Sequence, residues 1–119
     1  MQRLINLAKR LRDPETGCPW DLKQDFDSYC KCILEESQEV VEAIQKKDWK
    51  NLKEELGDVL FNLCFFINLA EEKGYFNANE VIQATESKMI FRHPHVFGEE
   101  KAKTAEEALA IFNKMKKLE

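Results

Sequence analysis

Glu36 and Glu39 stand three residues apart within "CILEESQEVVEAI", residues 32 to 44, and Glu55 and Asp58 repeat that spacing within "EELGD", residues 54 to 58. On a helix this spacing leaves each pair about 60° apart, on one face. Two antiparallel helices each carrying such a pair would bring four carboxylates together. Like charges at that range repel, and burial worsens the repulsion by removing water. A hard divalent cation reverses the sign: Mg²⁺, or alternatively Mn²⁺, takes oxygen ligands, keeps several waters and is shared between carboxylates and a substrate's phosphates. A solvated face in which Glu35, Glu36 and Glu39 pair with Lys31 or Lys46 would explain the first group alone. It does not explain the second, which lies in the most apolar stretch of the chain.

Other site chemistries fit less well. Carboxylate-bridged di-iron bundles use Glu-x-x-His motifs, whereas His93 and His95 lie outside any carboxylate motif. Zinc would call for Cys or His ligands at suitable spacing; Cys18, Cys30, Cys32 and Cys64 form no CxxC pair and read as free, reduced packing residues. Glycines 17, 57, 74 and 98 are scattered, so no glycine-rich loop is available to cradle phosphates. Trp20 and Trp49 could each stack on a base or simply pack.

These residues need helices to hold them, and the sequence reads as about five, with no strand pattern. Leu4, Leu7, Ala8 and Leu11 mark a first amphipathic helix, ended by "RDPETGCPWD". A long helix is expected from about Asp25 to Lys46, with Ile33, Leu34, Val40, Val41 and Ile44 facing a core. Asp48 caps a third helix that ends near Gly74. Asn77 with Glu80 and Thr104 with Glu107 have capping-box spacing and start a fourth helix, to about Phe91, and a fifth. Between these two lies "RHPHVFGEEKAK", a loop expected to close over the site or dock on a neighbouring helix.

From Leu56 to Ala70 the third helix is apolar nearly all round, and a helix of that kind must be buried on every side. In a chain of 119 residues the cover is expected to be a second copy, giving a homodimer or a dimer of dimers. With 44% hydrophobic and 34% charged residues the chain is expected to form a single globular helical domain over residues 1–119. It has no apolar run long enough to span a membrane and no apolar signal core after Met1, so a cytoplasmic location is expected. The formal charge of -4 argues against nucleic acid as a partner. Its distribution is uneven: residues 1–87 carry 11 Lys/Arg against 17 Asp/Glu, residues 88–119 carry 7 against 5.

"EESQE" followed after fifteen residues by "ELGD" resembles the EExxE…ExxD motif of the MazG-like nucleoside triphosphate pyrophosphohydrolases. "DPETGCPWD", "GDVLFNLCFF" and "RHPHVFG" resemble blocks that flank it in MazG, and the likeness runs through almost the whole chain. The resemblance implies an all-α bundle completed by homodimerisation and Mg²⁺-dependent conversion of an NTP to NMP and pyrophosphate. It assigns Glu36, Glu39, Glu55 and Asp58 to the metal and Glu35 to orienting or deprotonating the attacking water. Lys88 and Arg92, one turn apart, resemble a phosphate-contacting pair; Phe112 and Lys116 resemble a further substrate-binding block, with Phe where MazG has Trp. Trp20 is the candidate for base stacking. Alternatives are a non-catalytic nucleotide-binding or regulatory helical dimer, or a pyrophosphohydrolase for another nucleotide such as phosphoribosyl-ATP.

Overall fold

The computed structural model describes all 119 residues and is helical without a strand. Seven helices follow one another: α1 (Gln2–Leu11), α2 (Pro19–Leu22), α3 (Phe26–Gln45), α4 (Trp49–Glu72), α5 (Ala78–Phe91), α6 (Pro94–Phe97) and α7 (Ala105–Leu118). Five are the expected ones. The other two, α2 and α6, are four-residue helices inside segments read as loops, and each begins at a proline. Proline suits a first helical position because its missing N–H has no partner there anyway.

The caps explain the starts. Asp25 accepts from the Ser28 N–H while the Ser28 hydroxyl accepts from the Asp25 N–H, a full capping box on α3. Asp48 accepts from the Asn51 N–H at the head of α4. Thr104 accepts from the Glu107 N–H on α7, but the Glu107 carboxylate reaches back to the Lys103 N–H rather than to that of Thr104. Past α4, Gly74 adopts φ 74°, a left-handed conformation that suits glycine.

The chain forms two compact units, Met1–Ala78 and Asn79–Glu119. In the first, α4 packs against both α3 and α1. Ala8, Tyr29, Phe65 and Leu69 form the core, with Phe26, Cys32, Phe61 and Phe66 packed around them. Tyr29 stacks on Phe65 at 4.1 Å between ring centroids and meets Phe66 edge-on at 5.3 Å. Gly17 is needed in the α1–α2 turn, because a Cβ there would stand 2.3 Å from the Leu11 carbonyl oxygen. Arg12 ties the same turn down: its guanidinium pairs with both Glu72 oxygens and donates to the carbonyls of Asp21 and Gln24.

Two expected faces are corrected. On α1 the buried residues are Ile5 and Ala8, and Leu7 points outward. On α3 only Tyr29 and Ala43 are buried; Leu34 is 71% exposed, and Val41 and Ile44 are exposed too. The inward row of α3 is Tyr29, Glu36 and Ala43, at seven-residue intervals, so Leu34, Val41 and Ile44 form a separate outer stripe. On α4, Leu56 and Leu63 are likewise exposed.

In the second unit α6 packs on α7, with the His93 ring 5.3 Å from that of Phe112 and 5.4 Å from that of His95. The loop carrying the two histidines thus docks on a neighbouring helix. Along α5, Ile82, Met89, Ile90 and Phe91 are all exposed.

Candidate functional site

The α3–α4 pair has a definite register. The Tyr29 hydroxyl donates to Asn62 Oδ1 at 3.0 Å, and Glu36 meets Glu55 seven residues further along each helix. Both number pairs add to 91, so antiparallel facing is uniform between the two contacts.

One carboxylate oxygen each from Glu36, Glu39 and Glu55 lies within 4.8 Å of the others. Glu55 is buried, Glu36 half-buried and Glu39 exposed, so the group opens to solvent on the Glu39 side. Glu36 Oε2 and Glu55 Oε2 are buried and no protein donor reaches either. A carboxylate oxygen accepts hydrogen bonds but cannot donate them, so these side chains can bond to one another only where one retains its proton. Contacts with the Glu39 and then the Glu36 carboxylates accordingly push the Glu55 carboxyl up to about 8. Burial, with the charges of Glu39 and Asp58, pushes the Glu36 carboxyl up as well. Oxygen-only donors, mutual repulsion and two orphaned buried oxygens fit a hard divalent cation. These three residues could hold one.

Asp58, one turn beyond Glu55, is exposed and stands outside the tight group, although its charge is felt at Glu36. Glu35 is exposed beside Glu36 and is not one of the three converging carboxylates; burial, and then the charge of Glu35, push up the Cys32 thiol one turn earlier. Trp20 is half-exposed, its ring centroid 6.3 Å from that of Tyr29. Trp49 is exposed at the head of α4.

The other sequence-derived candidates belong to the second unit. The Arg92 guanidinium sits 5.5 Å from the Phe112 ring centroid and pairs with both carboxylate oxygens of Glu119. That hydrogen bond, and the charges of Arg92, Lys88 and Lys116, hold the Glu119 carboxyl below its ordinary value. Arg92 thus links the Phe112 ring to the Glu119 carboxylate, whose titration also feels the charges of Lys88 and Lys116. Asn62 lies one turn beyond Asp58 on α4, and no local pattern in the sequence couples it to a tyrosine 33 residues earlier.

Residues 24–97 match the family model described as the MazG nucleotide pyrophosphohydrolase domain. The chain is 42% identical over 116 residues to the nucleoside triphosphate pyrophosphohydrolase of Escherichia coli K12, covering 98% of this chain and 44% of that protein. It is 44% identical over 98 residues to the nucleoside triphosphate pyrophosphohydrolase/pyrophosphatase MazG of Thermotoga maritima, covering 82% of this chain and 38% of that one. It thus spans less than half the length of these relatives. Among solved structures, a mazG-related protein from Thermotoga maritima superposes with a TM-score of 0.80 at 33% identity, over 98% of this chain and 99% of that one.

Proposed function

This chain belongs to the MazG nucleotide pyrophosphohydrolase family, and we propose that its 119 residues act as a single catalytic domain that hydrolyses nucleoside triphosphates between the α and β phosphates. The products are a nucleoside monophosphate and pyrophosphate. The observation that carries this reading is the convergence of Glu36, Glu39 and Glu55 with two buried oxygens lacking any protein donor.

Glu36, Glu39 and Glu55 would hold Mg²⁺, or Mn²⁺ in its place, with Asp58 as a fourth carboxylate at the rim. The ion would supply positive charge against the phosphoryl oxygens as negative charge builds on them. Glu35, exposed next to this group, takes the proton of the attacking water. The water oxygen bonds to the α-phosphorus, the bond to the α–β bridging oxygen breaks, and pyrophosphate leaves with that electron pair. Lys88, Arg92 and Lys116 contact phosphates as point charges or, for Arg92, as a two-pronged donor. Phe112 and Trp20 offer apolar surface to the nucleoside.

The working unit is a homodimer or a dimer of dimers. Support comes from the apolar stripe Leu34, Val41 and Ile44 on α3, from Leu56 and Leu63 on α4, and from Ile82, Met89, Ile90 and Phe91 on α5, all exposed in one copy. A 14-residue helix with so little buried is marginal in water by itself. The acidic surface suits small anions escorted by a metal and not nucleic acid, and no helix is long and apolar enough to cross a membrane. A cytoplasmic location agrees with four free cysteines.

The test is incubation of the purified protein with each NTP and dNTP in Mg²⁺. Equal yields of monophosphate and pyrophosphate are expected, and none in chelator. Release of orthophosphate, or turnover indifferent to chelator, overturns the proposal.

A further inference from the structure

Asn62 is only 5% exposed, and its amide nitrogen, Nδ2, has no hydrogen-bond partner. A buried amide N–H pair without an acceptor costs more than a hydrogen bond returns when made, so such a group asks for an occupant. Its orientation is set, because the Tyr29 hydroxyl donates to Oδ1 and leaves Nδ2 as the free end. Burial pushes the Tyr29 phenol up to about 12, so it remains a donor throughout the working range. Donor-only chemistry at Nδ2 excludes a cation and calls for an oxygen or nitrogen acceptor.

Location narrows the choice. Asn62 and Tyr29 face each other across α3 and α4 in the register that brings Glu36 to Glu55, seven residues away on each helix. Seven residues span about 10 Å along a helix, a separation comparable to that between a nucleotide's phosphates and its base. The half-exposed Trp20 ring lies against Tyr29, at this end of the seam. Resting on the pyrophosphohydrolase reading above, we infer that Asn62, held by Tyr29, is a specificity-determining residue whose amide N–H recognises an acceptor on the nucleoside part of the substrate. The acceptor is a base carbonyl or ring nitrogen, or the 2′-hydroxyl oxygen of the sugar.

The decisive comparison uses Asn62→Leu and the double variant Tyr29→Phe with Asn62→Leu. The single variant leaves the Tyr29 hydroxyl buried and unpaired; the double one replaces both partners by apolar groups of similar shape and should regain most of the lost stability. KM and kcat are measured for ATP, GTP, CTP, UTP and their deoxy forms. In both variants KM should rise about tenfold for the preferred substrates, with kcat changed less than about threefold, so that preferences flatten. Loss that follows the base assigns the contact to the base, and loss that follows the 2′-hydroxyl assigns it to the sugar. A double variant with wild-type preferences, or an equal loss for every substrate, overturns the inference and leaves Asn62 a structural residue or one holding water. If the wild type releases no pyrophosphate, the function reading fails by itself. The same variants are then titrated calorimetrically with non-hydrolysable α,β-imido nucleotides in Mg²⁺, where base- or sugar-dependent loss of affinity supports the Asn62 contact and its absence refutes it.

Discussion

Glu36 of α3 and Glu55 of α4 meet across the helix seam, each with a buried carboxylate oxygen that no donor in the chain satisfies. A pair of acids in that position is destabilising unless a proton or a cation intervenes. The same side chains should therefore oppose folding in metal-free buffer and support it once a divalent ion binds.

Glu39→Gln removes the neighbour that contributes most to raising the Glu55 carboxyl. In chelator this variant should melt at or above the wild-type temperature, its Mg²⁺-induced rise in Tm should shrink or vanish, and turnover should fall at least about a hundredfold. Asp58→Asn should behave alike in turnover, with a smaller effect on the metal-free melt because Asp58 lies outside the tight group. Thermal scans with and without Mg²⁺ check both; wild-type melting with a full Mg²⁺ response would remove these residues from the metal site.

Leu34 and Leu56 stand exposed on the outer sides of α3 and α4. If a second copy covers them, Leu34→Glu or Leu56→Glu should convert the assembly to monomer and lower Tm, and light scattering coupled to size exclusion would read the change. A wild-type mass of one chain at micromolar concentration would contradict the dimer.

Arg12 joins three places: Glu72 at the end of α4, the carbonyl of Asp21 in α2 and that of Gln24 just past it. Its guanidinium also lies 5.8 Å from the Phe65 ring centroid. Arg12→Lys keeps the charge but loses the fork, which is not a conservative exchange at a two-pronged contact. It should cost about 1–3 kcal/mol, with hydrogen exchange accelerating first around residues 13–24. Unchanged exchange there would show that the Gly17 turn holds itself.

Asp25 illustrates the acid limb of stability. The Ser28 N–H and hydroxyl hold its carboxyl below the ordinary 3.8, so the folded state binds the proton less readily than the unfolded chain. Its contribution is complete above about pH 4 and is lost as pH falls through the lower folded value. The difference in urea midpoint between wild type and Asp25→Ala should hold steady from about pH 7 to about pH 4 and then shrink. A difference that grows on acidification would reverse the sign.

The long helices were legible because their punctuation is local. Asp25, Asp48 and Thr104 announce α3, α4 and α7, and Gly74 closes the run after α4. The two short helices were not, since four residues hold too little periodicity to register and a proline reads first as a breaker. Periodicity put Leu34, Val41 and Ile44 on the core face, but they lie exposed, because the inward row of α3 is set by Tyr29 stacking on Phe65. The carboxylate pairs were visible from spacing, and three of the four side chains converge. The Tyr29–Asn62 bond and the reach of Arg12 to Glu72 join residues 33 and 60 positions apart, and no local pattern encodes them.

Between the helices that bear the acids there are only Lys46, Lys47 and Asp48, with Lys47 at φ 55° and the Asp48 N–H closing back on the Ala43 carbonyl. So tight a hairpin acts as a vernier: were an extra residue there taken up by sliding α4 one position through its seat, each of its side chains would move about 1.5 Å along and about 100° around the axis, carrying Glu55 away from Glu36. The length of this three-residue bend is thus as much a part of the acid centre's design as the acids themselves.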